Sequence, residues 1–387
     1  MEIVWGVIIG VIVLTILVAA HELGHALAAK RYGTKVEEYG IGFPPKIWSF
    51  RPKKSFLGKD VLFSINLLPL GGFVRLKGEH DDDKEEGSFG QMTFWRKTQV
   101  LLAGVAVNWL IAVVVITILA WVGLPKILPD QFSVASDAQT VSKPVQIAAV
   151  SKGLPGADAG LKSGDRIVSF AGTDITDPTQ LTNLAVADKG KTVPVKYTRK
   201  GQTDVTSVSL RANNDDKKGI IGVSLAQQQI TRSTWSAPIV GVGVTIQMTG
   251  LTIQGVAQVI WNGLSGLVMK AIPSEAVQNR ANSQLATVSN SIAGPLSIFG
   301  ILFPAAEQEG VTYVLLMGAI ISLTLAVMNV LPIPALDGGR WFVMALYKLR
   351  KKRLLKETED KIHGIGFAVL MVLMVLVTIA DIGKFGK

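Results

Sequence analysis

"VLTILVAAHELGHALAAKRYG", residues 13–33, sets two histidines and a glutamate into a stretch otherwise apolar enough to lie in lipid. A charged side chain at the centre of a membrane-spanning helix costs about 2.5–3.5 kcal/mol or more. Such a placement persists where the groups do chemistry. On a helix, positions i and i+4 share a face, so His21 and His25 of this H-E-x-x-H pattern reach one point. Converging imidazoles suit zinc, which needs no redox partner. Glu22, beside the first histidine, is then placed to take a proton from an attacking water and hand it to a leaving amine. At 1.5 Å per residue, His21 lies roughly 13 Å from Lys30, the first basic residue beyond the apolar run.

A catalytic zinc site needs a third protein ligand and one open position. The chain has no cysteine, which excludes thiolate ligands, disulfides and cysteine nucleophiles. Its only histidines besides the pair are His80 and His363. His80 sits in the charged stretch "KGEHDDDKEEG" and His363 follows a basic loop, so neither matches the depth of His21. Asp337, in "MNVLPIPALDGGRWF", matches it better, about 16 Å from Lys348 if the chain between is roughly helical. Pro332 and Pro334 break the helix just before it. Irregular backbone is tolerated in a membrane where protein buries it or it lines a wet cavity.

The rest of the chain fits a membrane setting. Of 387 residues 49% are hydrophobic, and the mean hydropathy is +0.39. Four apolar segments, about 3–29, 99–122, 311–331 and 364–382, are each long enough to cross a hydrocarbon core of about 30 Å. The first lacks a basic leader and runs on to Ala29, so it reads as a span rather than a cleaved signal. The formal charge of +10 is concentrated in two loops. Residues 30–97 carry 13 Lys or Arg, and residues 347–363 carry 7. The positive-inside rule puts both loops in the cytoplasm, with both termini and residues 123–310 outside. The basic excess is thus topological, and no nucleic-acid partner is expected. Residues 140–225 read as a soluble β-rich domain, with a hairpin in "TVPVKYTRKGQTDVTSVSL" turning at Lys200-Gly201. Residues 226–310 read as amphipathic or membrane-surface helices.

HELGH in the first span, paired with "NVLPIPALDGG" in the third, resembles the signatures of the site-2 protease family of intramembrane zinc metalloproteases. The PDZ-like stretch between them is similar to the bacterial branch that carries an extracytoplasmic PDZ domain, which includes proteases of anti-sigma factors. The resemblance implies His21, His25 and Asp337 as Zn2+ ligands and Glu22 as the catalytic residue. It further implies that Asn329 and Pro332 bind or position the substrate backbone near the metal. "LLPLGGFVRLKG", residues 67–78 with Gly71 and Gly72, resembles the family's membrane-inserted β-hairpin, whose edge would hold an unwound substrate as an added strand.

The expected fold is a multi-pass α-helical membrane protein of about four transmembrane helices, with an inserted β-rich PDZ-like domain and a membrane-associated β-hairpin. Residues 1–122 and 311–387 would form the catalytic membrane part, 140–225 the PDZ-like domain and 226–310 the surface region. The expected activity is peptide-bond hydrolysis in single-pass membrane proteins, such as anti-sigma factors, after trimming on the outer side. The expected location is the bacterial cytoplasmic membrane. Two competitors differ in kind. A membrane-anchored zincin facing water would need HELGH outside the apolar run. A catalytically inactive PDZ scaffold would bind no metal.

Overall fold

The computed structural model describes residues 2–199, 201–214 and 218–385, so Lys200 of the expected turn lies outside the described residues. The chain forms two compact units, one of Met1–Ala120 with Ser236–Lys387 and one of Trp121–Trp235. Among the described residues five helices are long and apolar enough to cross a membrane.

The first unit begins with helix α1 (Glu2–Arg31), strands β1 (Val36–Phe50) and β2 (Leu62–Leu76), and helix α2 (Phe94–Val122). Small residues let α1 pack closely. A β-carbon on Gly24 would lie 2.7 Å from the Ala103 carbonyl oxygen of α2, so a larger side chain would push the helices apart. The β-hairpin is longer than the 67–78 stretch the sequence marks, because its first strand starts at Val36. Tyr39 stands opposite both Val74 and Phe63, and Phe63 also opposite Phe50, so each strand folds back across its partner. This sheet lies along α1. The Tyr39 hydroxyl donates to the Ala19 carbonyl at 2.6 Å, and Thr15 donates to the Pro69 carbonyl.

The second unit carries β3 (Leu124–Pro125), β4 (Gln139–Ser142), β5 (Gln146–Val150), α3 (Pro155–Asp158), β6 (Arg166–Phe170), β7 (Thr173–Asp174), α4 (Pro178–Ala187), β8 (Thr192–Arg199), β9 (Gln202–Ser209), β10 (Val223–Ala226) and β11 (Gln229–Arg232). The main sheet runs in the order β10-β5-β6-β8-β9. Alternation in β8 sends Val193, Val195 and Tyr197 into a core with Ile147, Ile167, Phe170 and Val208, which Leu181 and Ala185 of α4 cover. Arg199 and Gln202 pair across the expected turn, where Gly201 adopts φ +83°. Asp165 is fully buried and accepts two 2.7 Å bonds from Arg199, plus the Lys162 amide at 2.8 Å.

The chain then returns to the first unit through α5 (Ala237–Lys270), α6 (Glu275–Ser291), α7 (Pro295–Ser297), a π-turn (Ile298–Leu302), α8 (Phe303–Glu309), α9 (Val311–Val330), α10 (Asp337–Leu349) and α11 (Lys356–Phe385). Four of the five long helices (α1, α2, α9 and α11) match the expected segments. The fifth, α5, runs through the stretch read as membrane-surface. It packs on α2, where Trp109 donates to Thr249 at 3.2 Å. Its partner α6 is too polar to span and doubles back along it, with Leu285 against Gly266. After α6 the chain meets the C-terminal part of α11 and the N-terminal part of α1. Ser297 bonds Asp381 of α11 through its amide and hydroxyl, and Pro304 packs on Gly6 of α1. The α5–α6 pair therefore leaves and rejoins one end of the bundle.

Burial alone would raise the Asp165 pKa, but the Arg199 and Lys162 hydrogen bonds outweigh it and hold the carboxyl below its ordinary value. A depressed carboxyl adds stability above its unfolded pKa of about 3.9, and loses it as pH falls through the folded value. Asp165→Asn should cost the β-rich unit about 2 kcal/mol at pH 7. Hydrogen exchange of the β6 and β8 amides should quicken at pH 7, and the difference from wild type should shrink below pH 4.

Candidate active site

His21 and His25 sit one turn apart on α1, and Asp337 opens α10, 316 residues away from His21. The fold brings His21 Nε2 to 3.0 Å from Asp337 Oδ2. His25 Nε2 lies 3.1 Å from His21 Nε2 and 3.2 Å from Asp337 Oδ2. All three ligand atoms fall within 4.8 Å of one another. Tetrahedral zinc with bonds of about 2.0–2.1 Å holds its ligands about 3.3 Å apart, so the spacing suits that ion. The tautomers suit it as well. His25 Nδ1 donates to the Val100 carbonyl at 2.8 Å, which leaves the Nε2 lone pair facing the cluster. The Asn108 amide lies 3.3 Å from His21 Nδ1, and its Oδ1 is buried without a partner. Exchanging the nitrogen and oxygen of that amide lets Oδ1 accept from Nδ1–H and frees His21 Nε2 for a metal.

Local sequence explains each placement. α1 brings both imidazoles against Gly104 of α2, where a β-carbon would lie 2.5 Å from His25 Nε2 and 2.8 Å from His21 Nε2. Only glycine leaves room for both rings. After α9 the chain bends through Pro332 and Pro334 and turns at Ala335, φ +82°. The Ala335 amide donates to His363 Nδ1 at 3.1 Å. Asp337 then starts α10, whose positive end favours a carboxylate. Any β-carbon at Gly338 would come within 2.1 Å of the Val330 carbonyl, which accounts for a glycine after Asp337.

Glu22 lines a cavity of about 180 Å³ together with His21, Asp337, Asn108, Asn329 and Val18. Its Oε2 accepts from the Val74 amide of β2 at 3.1 Å, tying the carboxylate to the sheet. The structure thus collects His21, Glu22, His25, Asp337 and Asn329 in one place. Gly71, at φ +99°, sits beside Val18, and Gly72 packs near Ala19, so the end of β2 runs beside this cavity. Pro332 is not among the cavity's lining residues and belongs to the bend that follows α9. His80 is 2.9 Å from Asp360, away from the cluster, as its charged surroundings suggest. The sequence reading passed over Asn108 and Gly104. A lone asparagine in the apolar run "AGVAVNWLIAVV" was the available signal, since polar groups at that depth carry a function by default.

The model of peptidase family M50 matches residues 9–373. The chain belongs to peptidase family M50. This peptidase is 28% identical to zinc metalloprotease RasP of Geobacillus kaustophilus, over 97% of each chain. It is 25% identical to the regulator of sigma-W protease RasP of Bacillus subtilis, over 98% of each. The PDZ domain of an SdrC-like protein from Listeria monocytogenes aligns with 21% of the peptidase and 87% of its own chain, at 28% identity and a TM-score of 0.19. The M50 peptidase is a membrane-embedded zinc metalloprotease with Zn2+ as its cofactor.

Gly104→Val should displace both imidazoles and reduce the zinc in purified protein well below one per chain, read by elemental analysis. Asn108→Leu should keep the fold but weaken zinc retention against a chelator about 10–100-fold, the usual cost of losing a partner behind a histidine ligand.

Proposed function

We propose that His21, His25 and Asp337 hold the zinc and that Glu22 is the general base and acid of intramembrane proteolysis. The observation that carries this reading is the meeting of three ligand atoms from distant parts of the chain beside a glutamate-lined cavity. Zinc held by these residues would supply the Lewis acidity that polarises a scissile carbonyl and acidifies water. Glu22 takes a proton from that water and passes it to the departing amine. Its bond to the Val74 amide fixes one carboxylate oxygen and leaves the other to move the proton. Asn329, on the cavity wall, donates to the backbone of the bound segment.

The substrate is a transmembrane segment unwound into an extended strand, because a helical backbone encloses the bond to be cut. The 72–76 edge of β2, next to α1 and Glu22, supports strand addition as the means of holding it. Pro332 contributes through the bend it imposes rather than by contact. Single-pass regulators of sigma factors, trimmed first on the outer side, are the substrate class. The sigma-W role in the name of the Bacillus subtilis relative favours this class. The two basic loops support a bacterial cytoplasmic membrane location with those loops inside and both termini outside. The return of α6 to the end where α5 began keeps that count of sides intact. Residues 140–225 then face outward as a PDZ-like substrate filter between catalytic parts 1–122 and 311–387.

Cleavage of a model single-pass substrate in reconstituted vesicles tests the assignment. Glu22→Gln should lose at least 10³-fold in rate while retaining wild-type zinc. His21→Ala and Asp337→Asn should lose both activity and zinc. Equal cleavage by wild type and Glu22→Gln would remove Glu22 from its role.

A further inference from the structure

A second cavity, of about 290 Å³, lies where α1 ends, and nothing in the proteolytic reading uses it. Its walls are Lys30, Gly33, Thr34, Lys35, Val36, Leu57, Gly58, Lys59 and Asp60, of which three are cationic and one is anionic. The Thr34 side chain is almost wholly buried, and its hydroxyl has no hydrogen-bond partner. A buried hydroxyl without a partner costs about 1–3 kcal/mol, so it marks a place for a ligand atom.

The lysines are available. Lys30 uses one of its three donors on the Phe56 carbonyl at 2.6 Å, which ties the end of α1 to the segment that supplies Leu57, Gly58, Lys59 and Asp60 to the cavity wall. Lys35 and Lys59 are exposed and have no ion-pair partner among the described residues. The negative end of the α1 dipole is blunted, because the Tyr32 and Thr34 amides bond the Ala29 carbonyl and the Gly33 amide bonds that of Lys30. Asp60 leaves two net positive charges on the rim.

The surroundings indicate which anion fits. Beside the cavity, Ile47, Trp48, Phe50 and Phe56 are 63%, 54%, 45% and 59% exposed. The Phe50 and Phe56 rings lie 5.1 Å and 5.9 Å from that of Phe63, and Trp48 lies 5.0 Å from Phe50. Lys46, Arg51, Lys53 and Lys54 are interleaved with them. An aromatic cluster laced with lysines, directly after a membrane span, suits the headgroup level of a bilayer. We propose that this pocket binds the phosphate of an anionic phospholipid of the surrounding leaflet, with Thr34 donating to a phosphate oxygen and Lys35 and Lys59 supplying charge. The bound lipid pins the 51–60 loop, and through it β1 and β2, to the membrane surface.

The test uses the full chain in neutral detergent micelles doped with phosphatidylglycerol or phosphatidylcholine, with bound lipid read by native mass spectrometry. Wild type should retain one phosphatidylglycerol in preference to phosphatidylcholine. Lys35→Gln with Lys59→Gln should weaken that retention about 30-fold, since each near-surface lysine contributes roughly a factor of five. The same replacements at Arg350 and Lys351 should leave it unchanged. Thr34→Val, close in shape, should weaken retention and Thr34→Ser restore it, which decides the matter if the double variant does not fold. Equal retention of the two lipids by wild type, or loss from the control as large as from the pocket variant, would overturn the proposal. So would displacement of the lipid by millimolar inorganic phosphate, because the pocket would then be a site for free phosphate.

Discussion

Everything in the membrane unit is organised around three polar side chains that lipid alone would reject. His21, His25 and Asp337 place their ligand atoms within 4.8 Å of one another inside a bundle of apolar helices. Their burial is tolerable because each is answered. His25 reaches the Val100 carbonyl, His21 reaches Asn108, and Asp337 sits at the positive end of α10. The two helices behind the cluster touch through Gly24 and Gly104, so their spacing is set by residues with no side chain. A bulkier residue at either position would separate the helices or the rings.

The same unit has to accommodate backbone that is neither helix nor closed barrel. Hydrocarbon offers such backbone no partners, so protein must supply them. The β1–β2 sheet does so by pairing within itself and by bonding α1 at Ala19 and Glu22. The bend after α9 does so through the Ala335 amide and His363. Glu22 therefore has two duties in the proposed mechanism, moving protons and satisfying the exposed edge of β2 next to the cavity.

On the side that carries the basic loops, a polar lattice fixes the first turn of the helix that begins with Asp337. Arg340 bonds Glu359 at 3.1 Å and also the Glu79 carbonyl, while the Asp81 amide bonds the same Glu359. Lys97 of α2 closes the lattice on Asp81. Below it Ala26, Val36, Leu76, Phe89, Val100 and Val343 form one apolar core drawn from α1, both strands, α2 and α10. Asp337 at the start of α10 is thus positioned by the packing of Val343 and Met344 in the middle of that helix as well as by its own turn.

The pattern of apolar runs, the i and i+4 histidines and the late aspartate were legible in the chain itself, because periodicity and depth in lipid are properties of short stretches. Four helices and the β8–β9 hairpin follow from such local rules, and so does the choice of His21, His25 and Asp337 as candidates for one cluster. The extent of the first sheet was not legible, since Val36–Phe50 mixes glycine, proline and lysine and acquires its pairing only against β2 and α1. The course of α5 was also hidden, because its apolar positions are diluted by glycine and threonine and find their partners on α2. Asn108 and Gly104 owe their part in the site to what faces them across a helix contact. Sequence thus determined which residues are able to hold the ion. Only the tertiary structure decided which groups stand behind them, because a side chain's partner across two helices is set by packing distance, and no local repeat encodes that.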